Sequence, residues 1–150
     1  MQEAPHSIRE NYFLTKINIS NYIEEKKLFQ KVISHELIHA ASSFKSYRKI
    51  ITGFCQCYIK PFSLVLGRGI NEGYTEVLSN RYVVNQNLNV KGKDAGYDYE
   101  ISVAKIVELI IEKEEMIDMY FHGNLDGLIK ELSKYEEEVK VKGFISDLDA

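Results

Sequence analysis

The segment His35-Glu36-Leu37-Ile38-His39 sets two imidazoles four residues apart with a carboxylate between them. On an α-helix that spacing is about 6 Å of rise and roughly 40° of rotation, so both imidazoles can converge on one ion. Neutral imidazole nitrogen suits zinc, which lowers the pKa of its water toward neutrality. Glu36, adjacent to a ligand but pointing differently, is then placed to take a proton from that water. Thirty-three residues after His39, Asn71-Glu72-Gly73-Tyr74-Thr75-Glu76 supplies two further carboxylates one helical turn apart. Two histidines need a third protein ligand, with a fourth position left open if the metal is to react, and either Glu72 or Glu76 can provide it. The same residues admit a plainer reading, as histidines hydrogen-bonded within a core helix and glutamates in a first turn where the helix dipole favours acids.

These residues need elements to position them. The pattern predicts a short strand over 12–19, then a helix over about 22–42 with Asn18, Ser20 and Asn21 as cap candidates and Glu24 and Glu25 in its first turn. Leu28 and Val32 mark its apolar stripe, which His35 and His39 continue at helical spacing. β-Prone segments over 50–59 and 62–66, separated by Lys60-Pro61 and closed by Gly67-Arg68-Gly69, predict a hairpin or two short edge strands. A second helix is expected from Asn71 to about Val84. The turn-rich stretch 85–96 is the one plausible internal boundary. Beyond it the chain reads as helical: 101–111 as a buried helix, and Leu125, Leu128, Ile129, Leu132 and Tyr135 as an amphipathic one capped by Asn124. His122 reads as a surface or capping histidine, and 136–138 as a solvated helix end.

The pairing of His35-Glu36-Leu37-Ile38-His39-Ala40 with Ile70-Asn71-Glu72-Gly73-Tyr74-Thr75-Glu76 resembles the gluzincin branch of the zincin metallopeptidases. The resemblance covers about fifty residues, from Lys31 to Arg81. It implies a zinc-dependent peptidase with one Zn2+ held by His35, His39 and Glu72, with Glu36 as general base and Glu76 hydrogen-bonded to a ligand histidine. It also implies a tyrosine or histidine that stabilises the oxyanion, for which Tyr97 and Tyr99 are the candidates, and a peptide or protein substrate. Arg68, just before the second helix, could meet a substrate carboxylate. The alternative of another class is a zinc-binding interaction or regulatory module that cleaves nothing.

The expected fold is therefore α+β and predominantly helical, zincin-like by the resemblance, in one domain over 1–150. Its zinc-site part spans 1–84, a loop 85–97 and a helical part 98–150. With about twenty residues before the first long helix, the sheet is expected either to be minimal and include the 50–66 hairpin, or to be completed by a longer natural chain.

Composition narrows the class further. Apolar residues make up 45% of the 150 and charged residues 27%, the range of an ordinary globular domain. A net charge of −3 gives no footprint for nucleic acid or an anionic membrane surface. The longest apolar runs, such as 109–111, fall far short of the roughly 20 residues that cross a bilayer. Residues 1–10 hold no apolar core for export, which points to the cytoplasm. Cys55 and Cys57, two apart on a strand, should share one face about 6.6–6.8 Å apart, the outer edge of disulfide geometry. They read as structural thiols, since zinc sites built from cysteine normally use two such pairs at longer spacing.

Overall fold

The computed structural model describes residues 26–58, 64–85 and 97–150. Helix α1 (Lys26–Ala41) leads into strands β1 (Ser43–Ser46), β2 (Lys49–Thr52), β3 (Cys55–Tyr58) and β4 (Val65–Leu66). Helices α2 (Arg68–Asn85), α3 (Asp98–Ile111), α4 (Lys113–Phe121), α5 (Leu125–Leu132) and α6 (Glu138–Asp147) follow. The strands form one antiparallel sheet in sequence order. The architecture is α+β and mostly helical. The expected strand over 12–19, its cap candidates and the stretch 86–96 lie outside the described residues.

The single strand expected over 50–59 is two strands. Gly53 interrupts it with φ +53°, and a Cβ there would stand 2.3 Å from Asn71 Oδ1 and 2.4 Å from the Tyr120 ring. Only glycine adopts this turn without strain and admits both neighbours. The turn drives Phe54 fully into the core, where its ring lies 5.4 Å from that of Tyr120 and 6.0 Å from that of Tyr74. Strand β1 lies between the helix expected to end near 42 and the β-prone segment expected from 50, where no element is expected. Its residues Ser43-Phe44-Lys45-Ser46 have weak strand preference and are held by pairing, Ser43 opposite Thr52 and Ser46 opposite Lys49. Alternation sends Ile51 and Gln56 to the buried face of the sheet and leaves Thr52, Cys55 and Cys57 on the other.

Helix α2 starts at Arg68, three residues before the expected Asn71, because its first turn is capped from the far end of the chain. The Asp149 carboxylate accepts from the Gly67 and Gly69 amides, both at 2.8 Å. Arg68 donates through Nη2 to the Asp149 carbonyl at 2.8 Å and is otherwise exposed. Ile70, Tyr74 and Val77 form the buried apolar stripe of α2. Gly73 lets α2 and α3 meet at backbone distance, since a Cβ there would lie 2.3 Å from the Glu100 carbonyl oxygen. Helix α3 is amphipathic, not buried all round: Ile101, Ala104, Val107 and Ile111 face the core, whereas Ile106, Leu109 and Ile110 are exposed. The expected α5 is present with its Asn124 cap, which accepts from the Gly127 amide at 2.9 Å. His122 is exposed at the end of α4, and 136–138 lead into α6 at the surface.

Helices α2 and α3 are also joined by a buried polar triad. The Tyr74 hydroxyl donates to Glu108 Oε1 at 3.0 Å, Arg81 Nη1 donates to the same oxygen at 2.6 Å, and Arg81 Nη2 donates to Oε2. The guanidinium holds Glu108 below the usual carboxylate range against the opposing effect of burial. Glu108→Ala strands a fully buried hydroxyl and a partly exposed guanidinium, and is expected to cost about 2–3 kcal/mol of stability. Because the folded carboxyl titrates below the unfolded one, this stabilisation is complete above the unfolded pKa and is lost as pH falls through the folded value. Urea denaturation of both proteins should show a gap at neutral pH that narrows in acid.

Candidate metal centre

Helix α1 carries His35 and His39 on one face, and α2 packs beside it with Glu72, Thr75 and Glu76 turned toward them. Small side chains permit the approach: the Ser34 and Ser79 hydroxyls are hydrogen-bonded to each other, and Ser34 also donates to the Lys31 carbonyl at 2.9 Å. The three donor atoms come together in a near-equilateral triangle. His35 Nε2 and His39 Nε2 are 3.0 Å apart, and Glu72 Oε2 lies 3.3 Å from the first and 3.2 Å from the second. Ligands held at about 2.0–2.1 Å by one tetrahedral ion stand about 3.3 Å from one another, so the triangle already has the size of one face of such a coordination shell. His35, His39 and Glu72 could hold a metal ion. Their side chains are 13%, 13% and 22% exposed, sheltered but open to a small molecule.

The partners behind these atoms fix their orientation. His35 Nδ1 lies 3.0 Å from Glu76 Oε2, and Lys31 Nζ lies 2.6 Å from the other oxygen of the same carboxylate. An ionised Glu76 accepts the Nδ1 proton and turns the Nε2 lone pair toward the triangle. His39 is held less tightly: Thr75 Oγ1 stands 3.5 Å from its Nδ1, and Asn71 Nδ2, itself a donor, lies 3.4 Å away. Thr75 gives its own proton to the Asn71 carbonyl at 2.7 Å, leaving lone pairs for His39 and for the Tyr120 hydroxyl. Asn71 in turn accepts from the Phe54 amide at 3.1 Å, which ties the sheet to the site.

Charge is balanced within the cluster. Burial lowers the pKa of His35, but its hydrogen bonds to Glu72 and then Glu76 outweigh that and lift the value to about 9. Burial raises Glu72, and its bonds to His35 and His39 outweigh that and bring it to about 2. The two shifts describe one coupled pair, a proton shared in the place where a cation would bring positive charge. Glu76 is also held below the ordinary range, burial opposing and the His35 and Lys31 contacts prevailing.

The remaining expected residues divide. Glu36, next to His35 on α1, is half-buried and has no hydrogen-bond partner among the described residues. Tyr97 packs against the core, and its phenol is pushed up first by burial and then by the Glu72 charge, with Glu36 also acting on it. It therefore shares the electrostatic field of the site. Tyr99, two residues on, is 67% exposed. Lys31, Thr75 and Tyr120 were not anticipated. Lys31 stands four residues before His35, the interval that marks His39, and that spacing was the signal available for it.

Glu76→Gln keeps the shape but weakens the acceptor that orients His35. Metal affinity is expected to fall about 10–100-fold, measured by competition with a chromophoric chelator; an unchanged constant would remove Glu76 from the orienting role.

Comparison of the chain with protein families, characterised proteins and solved structures finds no match to any of them.

Proposed function

We propose that this chain is a zinc-dependent metallopeptidase that hydrolyses peptide bonds of a peptide or protein substrate. The observation that carries the reading is the triangle of His35, His39 and Glu72, with Glu36 next to His35 on the same helix. Two imidazoles and one carboxylate form a donor set that suits zinc, and three protein ligands leave a position open. The order of a histidine helix, a small sheet and a glutamate helix supports a zincin-like arrangement.

A zinc ion, when bound, supplies Lewis acidity that polarises the scissile carbonyl and makes water more acidic. Glu36 accepts a proton on its carboxylate as water attacks the carbonyl carbon, then returns that proton to the leaving amine nitrogen. Glu76, paired with Lys31, keeps the His35 ring oriented, and Thr75 does the same for His39. Tyr97 is the phenol we assign to the oxyanion, the partly buried one of the two candidates, with the Glu72 and Glu36 charges both acting on it.

The test is digestion of a broad peptide library by the zinc-loaded chain, with a chelator control and analysis of the new termini. Cleavage that the chelator abolishes and added zinc restores is the expected result. Stoichiometric zinc with no cleavage of any peptide would favour the regulatory module, which has no use for a base beside its ligands.

A further inference from the structure

We infer that Cys55 and Cys57 form a second cation site, a thiolate pair for a divalent d10 ion of the zinc class, on the face of the sheet turned away from Ile51 and Gln56. The two sulfurs are 3.9 Å apart, and both residues are half-buried, so solvent reaches them. An ion with Zn–S bonds of about 2.3 Å in tetrahedral geometry holds two sulfurs about 3.8 Å apart. The observed spacing needs almost no adjustment to meet that. A disulfide requires the sulfurs to close to about 2.0 Å across residues whose Cα atoms, two apart on a strand, stand about 6.6–6.8 Å apart at the limit of what the bond tolerates. The geometry therefore favours bridging by an ion over oxidation.

The electrostatics oppose a free thiolate pair, so the site depends on the charge of the ion itself. Burial and then the neighbouring Cys57 push the Cys55 thiol up to about 12, with the Asp149 and Glu72 charges adding to the effect. Two thiolates side by side near two carboxylates are unfavourable until a cation lies between them, and the same negative surroundings attract one. As the ion enters, each thiol that becomes a ligand releases its proton to solvent. Two protein ligands leave two positions for water or an incoming donor, so the site is an exchangeable one. It does not rest on the peptidase reading.

The experiment is titration of the metal-free chain with Cd2+, followed by thiolate-to-cadmium charge-transfer absorption in the ultraviolet and by equilibrium dialysis. The expected result is thiolate absorption that develops over one bound equivalent of Cd2+. Cys55→Ser/Cys57→Ser should lose the absorption and bind one equivalent fewer than the wild type. Blocking both thiols of the unmodified sequence with methyl methanethiosulfonate should abolish the absorption too. A titration of the wild-type chain without a thiolate band, or a band that survives thiol blocking, overturns the site. The band reports sulfur alone, so failure of the His35, His39 and Glu72 centre would leave its outcome unchanged.

Discussion

Replacing His39 with alanine is expected to abolish the rise in melting temperature that zinc gives to the wild-type chain. An ion that binds only the folded state at about 100 times its dissociation constant stabilises it by about 2.7 kcal/mol. For a domain of this length that is about 5–11 °C. The metal-free protein should lose much less. His39 has only long contacts at Nδ1, 3.4 Å to Asn71 and 3.5 Å to Thr75, outside the usual range of strong hydrogen bonds. The ion pair of His35 with Glu72 and Glu76 persists without it. Melting both proteins with and without zinc separates the two effects, because the cost of the truncated side chain cancels in each protein's own difference. A zinc-induced shift in His39→Ala equal to that of the wild type would exclude His39 as a ligand.

How far the sequence carries the reader follows from which interactions are local. His35 and His39 share a face because four residues is close to one turn, and Glu72 and Glu76 share one for the same reason; spacing alone reports both facts. That the two faces meet is a tertiary fact, and the small residues Ser34 and Ser79 that allow it show no pattern by themselves. Tyr120 lies forty-five residues from Thr75 and reaches it through the packing of α4 against the sheet turn, which no periodicity in either segment indicates. The sheet departs from its sequence pattern for the same reason. Phe54 is apolar in an apolar run and reads as strand, yet it is the pivot of a turn that Gly53 makes and that Asn71 and Tyr120 enclose. Ser43–Ser46 carries no strand signal of its own because its strand character comes from its partner. Helix α3 was expected to be buried from its composition, but composition does not say how much neighbouring surface exists to cover Ile106, Leu109 and Ile110.

Glu36→Gln is the substitution expected to have the largest effect on turnover with the least effect on the metal. Glutamine preserves size and hydrogen-bonding shape but cannot take up a proton at neutral pH, so the general-base contribution is lost, about 10²–10⁴-fold in kcat. That corresponds to about 2.7–5.5 kcal/mol of barrier. Zinc should still bind with wild-type stoichiometry, since the triangle is made by His35, His39 and Glu72 and excludes Glu36. The fold should be unaffected as well, because the Glu36 carboxylate has no hydrogen-bond partner among the described residues to lose. The contrast with His39→Ala is diagnostic: one variant loses the ion and with it the reaction, the other keeps the ion and loses the reaction. Turnover by Glu36→Gln within tenfold of the wild type, at equal zinc content, would assign proton transfer to another group and remove Glu36 from the mechanism.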